Sequence, residues 1–215
     1  IEVAAGTGEF STTLGYDLKI LRLPPMRGNN LAIISRSGGH AVIAADACEM
    51  SGFSLAPFPK EFLEEVEKHF RASVIKLTNP LDLGDLFDLE IYVKIIDRTL
   101  AQKEVDGIVF LHTFNATFEG PRSRELFQKV MELSQKYDKP VAIYVSTEDQ
   151  EVNYLKRNFN YPIFTQVAET VRALGINHRH YAERQRLRRP AEIPSFAVDK
   201  EKVRPLLEKA RKEKR

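Results

Sequence analysis

One cysteine, Cys48, and no tryptophan occur in the 215 residues. A single thiol excludes a disulfide framework and any multi-cysteine metal site, and it fits a reducing compartment. No run reaches the roughly 18 consecutive apolar residues that a membrane helix needs. The front shows no signal-peptide pattern, so a cytoplasmic setting is expected. The first residue is Ile1 rather than Met, which reads as a piece or processed product of a longer protein. Also missing are a GxGxxG turn, a GK[ST] phosphate loop, an internal repeat, and any Ser-His-Asp or paired-carboxylate spacing.

What is present suffices for a globular core: 43% of residues are apolar and 29% charged. The formal charge of +2 hides an asymmetry. Residues 178–215 hold thirteen Lys/Arg against six Asp/Glu, so the rest of the chain is acidic. A basic end can signal nucleic acid. Here acids are interleaved through "DKEKVRPLLEKARKEKR" and aromatics for base stacking are lacking, so neither nucleic acid nor membrane is an expected partner.

Residues 1–30 lack periodicity and end in the linker-like "PPMRGNN". From Leu31 short apolar runs alternate with helical patterns. Strands are expected at 31–36, 53–56, 106–112, 139–146 and 161–165. Helices are expected at 41–52, 59–70, 88–102, 121–138, 149–159 and 166–187. Near-continuous apolar strands separated by helices indicate an α/β fold with a doubly wound parallel sheet. Five strands suit a flavodoxin-like order. The expected division is an end of a preceding domain plus linker (1–30), the α/β domain (31–185) and a basic linker or helix (186–215).

Ligands of such sheets bind beyond the carboxyl ends of the strands. Four loops qualify, and "SRSGGH" (35–40) is the strongest. Ser35 closes the strand, Gly38 and Gly39 let backbone approach a ligand, and the next helix aims its N–H groups and positive dipole end there. An anion, most simply phosphate, fits; an ordinary turn capped by Ser37 fits as well. Asn79 and Asp82 in "NPLD" flank a proline and read either as turn formers or as site-lining groups. His112, at a strand end, is a possible phosphate donor or acid/base. His69, His178 and His180 read as structural, Cys48 as core. No metal site is expected.

The segment "GNNLAIISRSGGHAVIAADACEMSGFSLAPF" resembles ADP-forming acyl-CoA synthetases (acetate–CoA ligases), which carry SGG followed by a VLAADA-like helix. "TNPLDL" and "YPIFTQVAETVRAL" resemble two further stretches of that family in the same order, over about residues 28–185. The resemblance implies the succinyl-CoA-synthetase-like flavodoxin domain. In that family a phosphohistidine carries the phosphoryl group between an acyl phosphate and ADP, and helix N-termini cradle it. The role would fall here on Ser37, Gly38, Gly39 and His40, with Ser35, Asn79, Asp82 and His112 lining the site. CoA and ATP or ADP with Mg²⁺ are implied for the whole enzyme, bound mostly by other parts. Implied partners are a CoA-binding domain bearing the phosphohistidine, an ATP-grasp domain or subunit, and an oligomer. The Ser-His-Thr-Gly pattern of the phosphorylated loop is absent from this chain, so the chain alone is expected to be inactive. Two positions depart from the family: His40-Ala41 replaces Pro-Gly, and His112 replaces a Thr-Pro-like pair. They leave open a non-catalytic, ligand-sensing role, as in acyl-CoA-synthetase-like protein acetyltransferases.

Overall fold

A computed structural model describes residues 19–20, 22–70, 77–84, 86–188 and 200–213. Most of the expected front segment, residues 1–18, lies outside the described residues. The strands are β1 (Asn30–Ser35), β2 (Ser54–Leu55), β3 (Leu81–Asp82), β4 (Gly107–Thr113), β5 (Val141–Ser146) and β6 (Ile163–Phe164). The helices, renumbered in chain order, are α1 (Gly38–Met50), α2 (Lys60–Glu67), α3 (Leu89–Leu100), α4 (Ala116–Tyr137), α5 (Asp149–Asn158), α6 (Val167–Arg188) and α7 (Lys200–Glu213).

All pairings are parallel, in the order β2-β1-β4-β5-β6 with β3 also on β1. The sheet therefore has six strands rather than the expected five. The extra one, β3, is only two residues long, too short for a periodic signal. It shares an edge with β2: Asn30 and Leu31 face Ser54 and Leu55, whereas Ile34 and Ser35 face Leu81 and Asp82. Counting that edge as one interrupted strand restores the flavodoxin order.

The interruption is filled by a side chain. Asn79 Oδ1 accepts from Ile33 N–H at 2.9 Å, and its Nδ2 donates to the carbonyls of Leu31 and Ala56 at 2.8 and 2.9 Å. One amide thus stands in for the missing peptide group between β2 and β3. An unpaired strand edge in a buried sheet would otherwise leave backbone groups without partners.

Leu31 through Ile34, Ile108 through Leu111 and Val141 through Val145 are buried. Such continuous apolar runs are what a sheet covered on both faces requires. Partners in a parallel register point to the same side, so Ser35, Leu111 and Tyr144 share one face and His112 the other. Helix α1 lies on the Ser35 face and buries Ala41, Ala44 and Cys48. Helices α3 and α4 pack on the reverse, where Tyr92 and Phe127 meet Phe110.

Two helices start earlier than their apolar patterns indicate. Helix α4 begins at Ala116, not Pro121, because Asn115 accepts from the N–H groups of Thr117 and Phe118 at 3.0 and 3.3 Å. Helix α1 begins at Gly38, within the Gly-Gly pair itself. Residues up to Arg184 form one compact unit and Gln185–Arg215 a second, which contains α7. No helix among the described residues is long and apolar enough to cross a membrane.

Candidate functional site

The chain leaves β1 at Ser35, whose fully buried hydroxyl faces inward. It accepts from Ser37 N–H at 3.0 Å and donates to the Ser37 carbonyl at 2.7 Å. Ser35 therefore holds the turn closed and has no surface for a ligand. The turn is further fixed by Arg36 N–H to Leu111 O (2.9 Å) and Leu83 N–H to Ser35 O (2.7 Å).

Ser37 occupies the N-cap in extended conformation, yet its side chain accepts no capping hydrogen bond. The first intrahelical bond is Ala41 N–H to Ser37 O at 3.0 Å. The N–H groups of Gly38, Gly39 and His40 precede that first turn and have no carbonyl four residues back to take them. No acidic side chain lies in the helix's first turn. The positive end of this 13-residue helix is thus presented beyond the carboxyl edge of the sheet.

The two glycines differ. A Cβ on Gly38 would sit 2.6 Å from Asp82 Oδ2, so any side chain there must displace that carboxylate. A Cβ on Gly39 would meet nothing within 4 Å. Its φ does not lie in the left-handed region either. Neither strain nor packing within the chain calls for glycine at 39, and the open side of the turn is there. Asp82 is oriented by Gly84 N–H, which donates to its Oδ1 at 3.0 Å. Its carboxylate closes one flank of the turn, and the Gly39 side is the open one.

His40 points across the ends of β4 and β5. Its Nε2 lies 3.2 Å from Tyr144 Oη, and its Nδ1 lies 3.5 Å from Thr113 Oγ1. The two rings stand 5.0 Å apart. Arg36 is nearly buried and committed: it pairs with Glu119 at 2.7 Å and donates to Thr113 O at 3.3 Å. Sequence reasoning singled out none of Arg36, Thr113 and Tyr144. Their shared signal was position, since each ends or nearly ends a strand that borders the turn.

The other candidates lie apart. Asn79 spends both N–H donors and an oxygen lone pair on β1 and on Ala56, just past β2, as described above. His112 is fully buried beneath α3 and α4, on the face opposite the turn. Its ring stacks between Phe110 and Phe114, with centroids at 5.6 and 5.1 Å. Phe127 meets it edge-on. Nε2 meets Ser123 Oγ at 3.0 Å, while Nδ1 has no partner. Burial, reinforced by the Arg36 charge, pushes its pKa down to about 3. A neutral imidazole that donates from Nε2 and leaves a bare acceptor at Nδ1 is the cheaper tautomer. Cys48 is buried in the core, where desolvation pushes its thiol up to about 12.

Among the described residues no group of three or more His, Cys, Asp or Glu is placed to hold a metal ion. A cavity of about 310 Å³ opens at the other end of the strands, walled in part by Gly28, Phe53, His178 and Arg179. It is remote from the turn and takes in no residue of the candidate site.

No protein-family model matches the chain. Among characterised relatives, the 4-hydroxybutyrate–CoA ligase (ADP-forming) of Nitrosopumilus maritimus is 24% identical over 206 residues, covering 93% of this chain and 28% of that protein. The acetate–CoA ligase (ADP-forming) I of Archaeoglobus fulgidus is 29% identical over 196 residues, covering 90% of this chain and 27% of that protein. The chain therefore spans little more than a quarter of the length of these relatives. In fold it is similar to acetyl-coenzyme A synthetase 1 of Ca. Korarchaeum cryptofilum, solved with phosphate and ADP. There the TM-score is 0.62 at 17% identity, over 85% of this chain and 42% of that one. The resemblance carried by three short motifs thus extends over nine tenths of the chain, and the parallel α/β fold accompanies it.

Proposed function

We propose that this chain supplies one anion-binding turn of an ADP-forming acyl-CoA synthetase. The N–H groups of Gly38, Gly39 and His40 would receive the phosphate of a phosphohistidine that another part of the enzyme brings in. Acyl-CoA, phosphate and ADP would be converted to the acid, CoA and ATP, with the phosphoryl group resting on that histidine in between. The observation that carries this reading is the open flank at Gly39, beside an uncapped helix N-terminus. The similarity to ADP-forming CoA ligases, and the phosphate and ADP held by the similar fold, support it.

The turn's contribution is electrostatic. Backbone N–H groups need no reorganisation to meet a phosphoryl oxygen, and the helix dipole adds to them. Ser35 and Asp82 would keep the turn in shape, the first from within and the second from the flank. CoA, adenine nucleotide and Mg²⁺ would be bound chiefly by other domains or subunits. On this view the phosphohistidine-bearing, CoA-binding part and the ATP-grasp part are the chain's partners.

A second reading, a ligand-sensing domain without turnover, is favoured by His40 standing where the turn faces its ligand. One experiment addresses both. Gly39→Asp should abolish phosphate binding and, in an assembled enzyme, acyl-CoA-dependent ATP formation, while leaving the circular dichroism spectrum unchanged. Wild-type turnover in that variant would refute the site. Phosphate binding by a wild-type assembly that makes no ATP would establish the sensing role.

A further inference from the structure

The cavity at the amino ends of β1 and β2 has a lining that the chemistry of the turn does not account for. It lies at the carboxyl end of the 13-residue α1, about 20 Å along that helix from Gly38. Three glycines wall it, for different reasons. A Cβ on Gly28 would collide with the Asp106 carboxylate. Gly52 is left-handed, with φ 78°, and ends α1 together with Phe53. Gly52 N–H donates to Glu49 O at 3.0 Å, and Phe53 N–H donates to Cys48 O at 2.9 Å. Gly175 has neither reason. It lies inside the 22-residue α6, where glycine is less stable than alanine. Among the described residues a Cβ there would meet only Phe53 Cε2, at an ordinary 3.9 Å. What glycine keeps open at 175 is the cavity wall beside the Phe53 ring.

His178 and Arg179 stand three and four residues after Gly175, on the same face of α6. His178 Nδ1 donates to Met26 O at 3.1 Å, which fixes the ring edge-on to Phe53 with centroids 6.4 Å apart. The two rings form a preformed aromatic corner. Arg179 is exposed and makes no hydrogen bond or ion pair among the described residues. No acidic side chain lines the cavity. Asp106, against Gly28, is committed to Asn30 N–H at 3.0 Å. At about 310 Å³ the volume lies at the lower end of small-molecule sites, which run from roughly 300 to 1,000 Å³, and suits a ligand of one ring. A guanidinium fork without a partner matches a carboxylate in shape and charge.

We propose that this cavity binds a small aromatic carboxylate, its ring against Phe53 beside Gly175 and its carboxylate on the Arg179 guanidinium. The ring and the charge are both required. The ring fills the corner that Phe53, His178 and the bare Gly175 backbone shape, and the carboxylate answers the one cation at the rim that has no partner within the chain. The site is separate from the turn at 37–40, and neither assignment depends on the other.

Benzoate is the probe, titrated into the isotopically labelled full chain while backbone amide resonances are followed. Saturable shifts should centre on Phe53, Gly175 and Arg179, with a dissociation constant of about 1 mM for so small a ligand. Benzamide keeps the ring and loses the charge; sulfate keeps charge and loses the ring. At these positions each should bind at least about tenfold more weakly than benzoate. Arg179→Gln, a change at an exposed side chain, should weaken benzoate about tenfold and leave benzamide unaffected. Gly175→Leu should block both ligands while the circular dichroism spectrum stays as in wild type; if that variant does not fold, Arg179→Gln decides alone. No saturable shift at these residues, benzamide binding as tightly as benzoate, or wild-type benzoate affinity in Arg179→Gln or in a folded Gly175→Leu overturns the proposal. Sulfate moving the same amides at benzoate's affinity would make the cavity a plain anion site and overturn it too.

Discussion

The contrast between Gly38 and Gly39 shows how one residue type answers two demands. Gly38 lies under the Asp82 carboxylate, so Gly38→Ala must displace a carboxylate anchored to Gly84 N–H and should cost roughly 1 kcal/mol or more. Gly39 has open space and helical backbone, so Gly39→Ala should raise stability by about 0.5–1 kcal/mol. If glycine at 39 serves a ligand, the same variant should bind phosphate more weakly. Chemical denaturation and phosphate titration of the two variants give the comparison; a Gly39→Ala protein that is more stable and binds equally well would remove the functional reason for glycine there.

His112 makes a different prediction at the same scale. Its folded pKa is depressed to about 3 by burial, against about 6.5 in an unfolded chain. The unfolded state therefore binds the proton first as the solution is acidified. Stability is unaffected above about pH 6.5 and is lost progressively below it, by up to about 1.4 kcal/mol per pH unit until the folded pKa is reached. His112→Phe should flatten that part of the stability–pH curve. An unchanged acid limb in the variant would place the loss in other groups.

At the scale of elements, the edge of β1 is the vulnerable place. Two strands of two residues each cover it, and the Asn79 amide spans the gap between them. Asn79→Ala would strand Ile33 N–H and remove the Asn79 donors to the carbonyls of Leu31 and Ala56, of which Leu31 O keeps Ala56 N–H at 2.9 Å, at a cost of roughly 1–3 kcal/mol. Hydrogen exchange should speed up first at Ile33, whose N–H loses its acceptor. Protection of Ile33 equal to wild type would contradict the bridging role. The N-terminus of α4 offers a milder case: Asn115→Ala should cost about 1 kcal/mol.

These elements also show what the sequence could reveal. The strands β1, β4 and β5 announce themselves because burial on both faces forces unbroken apolar runs. The two-residue β3 carries no periodicity, and the Asn79 that makes it possible reads as a turn former beside a proline. The start of α4 was hidden because Pro121 looks like a first-turn residue, whereas Asn115, six residues before the expected boundary, supplies the cap. Similarly, "GGH" was legible as a turn, but the partners of its histidine are 73 and 104 residues away in sequence. Long-range pairings of that kind leave no local pattern.

For the molecule as a whole, the sheet separates His112 from the turn that carries His40. Alternation along β4 sends Thr113 to the α1 face and His112 to the reverse, so the two never share a site. From sequence His112 read as a strand-end residue that could line the site, and Thr113 was not singled out. The chain's similarity to ADP-forming CoA ligases covers nine tenths of it, whereas it spans little more than a quarter of those proteins. On the proposal made here the turn is therefore one wall of a site whose other walls come from partner domains. The central claim, that the turn at 37–40 receives a phosphate, is tested most directly by titrating inorganic phosphate into the isotopically labelled chain and following backbone amide resonances. The account predicts saturable shifts centred on Gly38, Gly39 and His40, abolished by Gly39→Asp. Shifts centred instead on the cavity at Phe53 and Arg179, or the same response in Gly39→Asp, would contradict it.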